Sequence, residues 1–281
     1  MIYKKIGNFK RYLKKPNNIC SGALYIYQLE YDSPFGKTNK TIRVYVPKTY
    51  NHDSNKRFPV LYMFDGQNIV DEYTTAFGEW NIDEEMLKLI KNKKHEGVII
   101  VGIDSSEIDN QRMNELCPPS THFSKRKGNY LENPHANIFL DFIINKVKPL
   151  IDYTFLTLKD KDNTGIGGSS MGGLASFYAA IKHKDVFGFT LSFSPAFLLF
   201  DPKKLKEELK KIDFTDVGKI YMYLGGSGFE KQFIRTTTIV YKYLSKHMDS
   251  SSYRYIFDSF GIHHESAWQR YFADALLYLK N

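Results

Sequence analysis

The segment Thr164-Gly165-Ile166-Gly167-Gly168-Ser169-Ser170-Met171-Gly172-Gly173 lies between a short strand-like run and a run with helical spacing. It contains one G-x-S-x-G frame, Gly168-Ser169-Ser170-Met171-Gly172, because Ser169 has no glycine two residues on. Glycines two residues before and after let the flanking backbone pass closely, so the serine between them fits the sharp strand-to-helix turn of a nucleophile elbow. Its hydroxyl then projects above the sheet at a helix N-terminus, whose positive end favours developing negative charge. A phosphate-binding turn is the competing reading. It lacks support, since no P-loop lysine follows and no G-x-G-x-x-G stands at the first parallel strand. Ser170 is the candidate nucleophile.

Outward from this segment the chain alternates strands and helices. Apolar runs predict strands over 58–64, 97–103, 164–168, 187–193, 219–224 and 253–257. Helical spacing predicts helices over 81–89, 139–150, 172–182, 202–211, 231–248 and 266–279. Residues 97–103 are apolar on both faces, as a buried parallel strand is. Before this, 23–31 and 41–46 alternate apolar and polar residues and read as antiparallel strands with one wet face. The expected class is α/β: a mostly parallel twisted sheet with antiparallel N-terminal strands and helices on both faces. No repeat and no Pro/Gly/Ser-rich linker divides the chain, so 1–281 is expected to be a single domain. Residues 104–134 are polar, rich in Pro and Gly and without a period; they read as a loop excursion over the active-site side.

With 281 residues the chain is long enough to bury a core without staples, and 42% hydrophobic against 25% charged residues argues against wholesale disorder. No apolar run approaches the ~18 residues of a membrane span. The first ten residues carry charge but no apolar signal region, and Cys20 and Cys117 are the only cysteines. A cytoplasmic protein without a disulfide framework is expected. The net charge of +8 resides in 1–50, where ten Lys and Arg face only Glu30 and Asp32. No aromatic–basic motif of a nucleic-acid module accompanies that charge. Residues 1–20 therefore read as a solvated basic segment; neither a nucleic-acid partner nor stable membrane insertion is expected, and a homo-oligomer is compatible with the sequence.

A serine needs a base, usually histidine, oriented by a carboxylate. Around an elbow of this kind the partners follow in the order acid, then histidine. Of the histidines after Ser170, His183 and His247 sit toward helix ends, whereas His263 and His264 lie between the last strand and the last helix. One of these two is the expected base. The acid should follow the strand at 219–224, where Glu230 is the only carboxylate in Gly225-Gly226-Ser227-Gly228-Phe229-Glu230. Asp216, Asp249 and Asp258 are the alternatives. An oxyanion needs two backbone N–H donors. Met171, next after the serine, and Gln67, in the turn Asp65-Gly66-Gln67-Asn68 after the first parallel strand, are the candidates. Asn68, Trp80 and His264 are candidates for binding substrate, and Arg112 and Glu115 for an ion pair bracing the long loop. No cysteine–histidine cluster has metal-site spacing, so neither metal nor organic cofactor is expected.

Phe64-Asp65-Gly66-Gln67-Asn68, Gly78-Glu79-Trp80, Val101-Gly102-Ile103-Asp104, Arg112 with Glu115 and Pro118, Gly167 to Gly173 and His263-His264-Glu265-Ser266-Ala267-Trp268 occur in that order. As a set they resemble the esterase family of α/β-hydrolases that includes esterase D, enterochelin esterases, feruloyl esterases and mycolyltransferases, over roughly residues 25–280. The resemblance implies an α/β-hydrolase fold. It places the base five residues before Trp268, at His263, and it supports Glu230 as acid and Gln67 and Met171 as oxyanion donors. The function it implies is a serine carboxylic-ester hydrolase acting on a small to medium acyl, aryl or siderophore-type ester. An acyltransferase or thioesterase on the same fold is the alternative, and the complete serine–acid–histidine order disfavours a non-catalytic binding protein.

Overall fold

The computed structural model describes residues 19–75, 77–106, 111–119 and 131–280. The basic segment before residue 19, and 107–110 and 120–130 of the long excursion, lie outside the described residues. Among the described residues eight strands form one sheet: β1 (Ala23–Ser33), β2 (Gly36–Val46), β3 (Val60–Phe64), β4 (Ile99–Ile103), β5 (Thr164–Ser169), β6 (Phe189–Phe193), β7 (Lys219–Gly225) and β8 (Tyr253–Asp258). Their spatial order is β1-β2-β4-β3-β5-β6-β7-β8. The pairs β1–β2 and β2–β4 are antiparallel, and every pair from β4–β3 onward is parallel. This is the expected α/β class.

The period-2 alternation of each central strand sorts its side chains onto two cores. Val60, Tyr62, Phe64, Val101, Ile166, Ile220 and Met222 face one core, which α3 (Ala136–Phe142), α4 (Lys148–Thr154), α5 (Met171–Lys182), α6 (Pro202–Leu209) and α7 (Ile234–His247) complete. Leu61, Met63, Ile100, Leu191, Phe193, Tyr221 and Tyr223 face the other, closed by α1 (Ile82–Lys91) and α8 (Glu265–Lys280). Both faces are thus covered, as a parallel sheet requires.

Three expectations change. The wet face predicted for 41–46 is absent: Ile42 to Val46 are all buried, because Ile42, Val44 and Val46 join the first core while on the other face Tyr45 joins the second and Arg43 pairs with Asp104. The helix expected over 139–150 runs from α3 to α4 through a π-type turn, Ile143–Val147. There Lys148 donates its N–H to Ile143 O, five residues back, just before Pro149, which has no N–H to continue the ladder. Within the excursion a short helix, α2 (Gln111–Leu116), buries Asn114, Glu115 and Leu116. Among the described residues no helix is long and apolar enough to cross a membrane.

Parallel strands end on the same edge of the sheet. The loops after β3, β5, β6, β7 and β8 therefore leave side by side, which is where ligands bind in open α/β sheets.

Candidate active site

Ser170 stands between β5 and α5 with φ 57° and ψ −116°. A non-glycine residue rarely holds a positive φ, and the surrounding hydrogen bonds hold this one. Ser170 N–H donates to Phe193 O at 2.9 Å, and Ser170 O accepts from Leu174 N–H and Ala196 N–H, each at 3.0 Å. A Cβ on Gly168 would lie 3.0 Å from the Gly172 carbonyl carbon, so the two glycines of the frame are in close backbone approach. Gly173 is tighter: a Cβ there would stand 2.6 Å from Phe193 O, a backbone atom with no rotamer to yield. Gly173→Ala is expected to lower stability by about 2 kcal/mol, as overpacking does. A fall in the urea midpoint at unchanged slope checks it.

His263 enters from the turn between β8 and α8, and its Nδ1 lies 3.2 Å from Glu230 Oε1. A carboxylate only accepts, so Nδ1 carries the proton and Nε2 is left with a lone pair. Glu230 follows β7 and is fully buried at 0% exposure. His264 turns elsewhere: its Nδ1 accepts from Ser266 N–H at 3.1 Å and lies 3.0 Å from Ser266 Oγ. The alternative acids are also placed apart from His263. Asp258 takes Arg270 and Phe260 N–H. Asp216 precedes β7 and Asp249 precedes β8, at the opposite edge of the sheet.

Sequence reasoning missed Ser194. It is fully buried just past β6, its Oγ is bonded to Glu230 Oε1, and Trp268 Nε1 donates to that Oγ at 3.0 Å. The only trace in the sequence is a serine before Pro195 at the end of an apolar strand.

Gln67 and Asn68 sit in the turn Gly66–Asn68 after β3, entered through Asp65 at φ 58°. The β3–β5 register pairs Met63 with Gly167, so this turn emerges beside the elbow; a Cβ on Gly172 would meet Phe64 Cβ at 3.0 Å and Asp65 Oδ2 at 3.3 Å. Met171 is the first residue of α5, where N–H groups have no partner within the helix. The side chain of Gln67 is committed to structure: its Nε2 donates to Ser105 Oγ at 2.7 Å and its Oε1 accepts from Ser105 N–H at 3.1 Å. Asn68 Nδ2 donates to Glu265 Oε1 at 3.1 Å, tying the turn to the start of α8. Burial raises the Glu265 carboxyl above its ordinary pKa, against the Asn68 hydrogen bond.

Ser170, His263, His264, Gln67 and Asn68 line one cavity of about 1160 Å³. Arg43 and Arg112 also line it, each matched by a carboxylate. Arg112 pairs with Asp65 through two bonds of 2.6 and 2.7 Å, and Arg43 with Asp104 at 2.8 Å. The expected Arg112–Glu115 pair does not form. Asp65 holds Arg112 from the turn after β3, and Glu115 bonds Lys40 of β2 at 2.6 Å in a buried pair. Trp80 does not reach the cavity: it is 3% exposed and packs on Trp268 and Phe193 at ring-centroid distances of 5.7 and 5.0 Å. Among the described residues no group of three or more His, Cys, Asp or Glu side chains is placed to hold a metal ion.

The family model described as "Putative esterase" matches residues 33–279. The uncharacterized protein YbbA of Bacillus subtilis is 26% identical over 155 residues, which are 53% of this chain and 54% of that protein. Among solved structures, the enterobactin esterase FES of Shigella flexneri, in the presence of enterobactin, superposes with a TM-score of 0.70 at 18% identity. That match covers 95% of this chain and 62% of FES. An IroE-like serine hydrolase of Shewanella oneidensis superposes with a TM-score of 0.65 at 20% identity, over 90% of this chain and 79% of that one. The chain thus spans about half to two thirds of the length of YbbA and FES. At these identities the solved structures establish the α/β-hydrolase fold. With the model matching nearly the whole chain, the protein belongs to the esterase family that the model defines.

Proposed function

We propose that this protein is a serine carboxylic-ester hydrolase working through an acyl-enzyme. One observation carries the reading: Ser170, held in an elbow conformation, shares a cavity with a histidine whose Nδ1 is bonded to a buried carboxylate. Ser170 Oγ attacks the ester carbonyl carbon while His263 Nε2 takes its proton. Glu230 holds the tautomer and stabilises the imidazolium. The carbonyl oxygen becomes an oxyanion facing Gln67 N–H and Met171 N–H. The intermediate collapses as the bond to the leaving oxygen breaks, and the imidazolium returns its proton to that oxygen. Water, deprotonated by His263, then cleaves the acyl-enzyme and regenerates Ser170.

Among the described residues the Ser170 hydroxyl makes no hydrogen bond to His263. Such contacts commonly tighten only when substrate is bound. The cavity of about 1160 Å³ has room for an aryl or siderophore-type ester as well as a small acyl ester. The wall of matched charges at Arg43–Asp104 and Arg112–Asp65 offers donors and acceptors to a polar acyl or leaving group. The siderophore ester of the FES complex is one such substrate class and aryl esters are another; Asn68 and His264 are the proposed contacts.

A fluorophosphonate probe is expected to label the folded protein, with the mass added to the peptide that holds Ser170. Absence of labelling together with absence of p-nitrophenyl ester hydrolysis would reject the reading.

A further inference from the structure

Ser194 stands where the acid of the proposed triad is decided. Its Oγ shares Glu230 Oε1 with His263 Nδ1. Its oxygen accepts from Trp268 Nε1–H at 3.0 Å. An indole N–H is a donor with no acceptor capacity, and a carboxylate is an acceptor with no proton to give. The hydroxyl hydrogen of Ser194 therefore has one direction open to it, toward Glu230. The chain of donors runs Trp268 to Ser194 to Glu230, and His263 donates to the same oxygen. The backbone supports this aim. Ser194 holds φ 41°, and its N–H donates to Tyr223 O at 2.7 Å, which pins the residue to β7. Trp268 is fixed as well, packed on Trp80 and standing edge-on to the His263 ring at 5.1 Å and 85°. Glu230 Oε2 is buried with no partner among the described residues. Among the described residues no other side chain is hydrogen-bonded to the carboxylate to select which oxygen meets His263.

We propose that Ser194, its hydroxyl directed by Trp268, is a positioning residue that keeps Oε1 of Glu230 on His263 and favours the deprotonated form of the Glu230–His263 pair. The inference rests on the serine-hydrolase reading. A carboxylate in a fully buried site gains from each donor it accepts, and a donor to the charged form lowers proton affinity. Among the described residues the titratable groups that feel the Glu230 charge are Tyr223 on β7 and Tyr255 on β8. Burial pushes the Tyr223 phenol well up and the Tyr255 phenol up to about 12, so both stay neutral where an esterase works. The hydroxyl of Ser194 is then the neutral donor that tunes the pair.

The test is Ser194→Ala, which removes one buried oxygen and keeps the backbone. With p-nitrophenyl butyrate, kcat is expected to fall about tenfold, the scale of one hydrogen bond to a charged group, with KM within about twofold. The acidic limb of the kcat/KM profile should move to higher pH, because loss of the donor lets the pair bind its proton more readily. A residue with a merely structural role would lower the melting temperature without moving the limb. Trp268→Phe removes the aiming N–H together with part of the buried indole, so its melting temperature is read beside its pH profile; it should shift the limb the same way by less. A readout free of turnover is the low-field Nδ1–H proton resonance of His263, whose titration should move with the limb. A wild-type kcat, limb and resonance in Ser194→Ala, with Ser170 still labelled by fluorophosphonate, would overturn this inference alone. Failure of the wild-type enzyme to label would overturn the serine reading and this inference with it.

Discussion

Ser170→Ala is expected to lower hydrolysis of p-nitrophenyl butyrate by about 10³-fold or more, with the fold retained. The substitution deletes the atom proposed to form the acyl bond. What survives is the oxyanion site and substrate binding, which by themselves give only a small part of a serine hydrolase's rate. The φ of 57° at Ser170 is held by its own N–H and C=O bonds to Phe193, Leu174 and Ala196, and none of these involves the side chain. Alanine inherits the same backbone, so circular dichroism and the melting temperature should stay close to wild type. The loss belongs in kcat. Steady-state kinetics on acetate and butyrate esters, wild type beside variant, decide it. Equal activity of the two proteins would show that hydrolysis does not pass through this serine.

His263→Ala should cost about as much as Ser170→Ala, while His264→Ala should cost less than about tenfold, because residues that act as one unit fail together. The two histidines are neighbours in the chain, yet their imidazoles have different company. His263 Nδ1 faces Glu230, whose side chain is 0% exposed, and its ring packs against Phe233 at 4.8 Å. These contacts orient a base. His264 Nδ1 is bonded at the first turn of α8, to Ser266, and its ring sits under Gly78, where a Cβ would lie 2.9 Å from His264 Cε1. It lines the cavity, and among the described residues no carboxylate is hydrogen-bonded to its ring. Removing His264 should therefore act mainly on KM. If His264→Ala were the inactive variant and His263→Ala the active one, the base would have to be reassigned.

The elbow was legible because its signal is local. Gly168, Ser170 and Gly172 lie within five residues, and the strand before them and the helix after them follow from periodicity alone. The sheet was legible for the same reason, since runs such as 97–103 carry their burial in their composition. The change at 41–46 shows the limit: whether a strand has a wet face depends on what packs over it, and Arg43 is covered through Asp104, 61 residues further on. Arg112 shows it again. Its nearness to Glu115 in the chain suggests a pair, but Asp65, 47 residues away, holds the bidentate geometry. Trp80 reads as a mouth residue in a motif and becomes core once Trp268 and Phe193 close over it.

The sequence by itself determined the α/β class, the serine at the turn, and the short loops that would carry a base and an acid. Those features rest on spacing within a few residues. Only the tertiary structure decided which oxygen of Glu230 meets His263, that Ser194 and Trp268 converge on it, and that Asn68 is tied to Glu265, 197 residues away. A hydrogen bond needs its partners within about 3 Å and aligned. No spacing along the chain encodes that condition; the packing of strands and helices creates it.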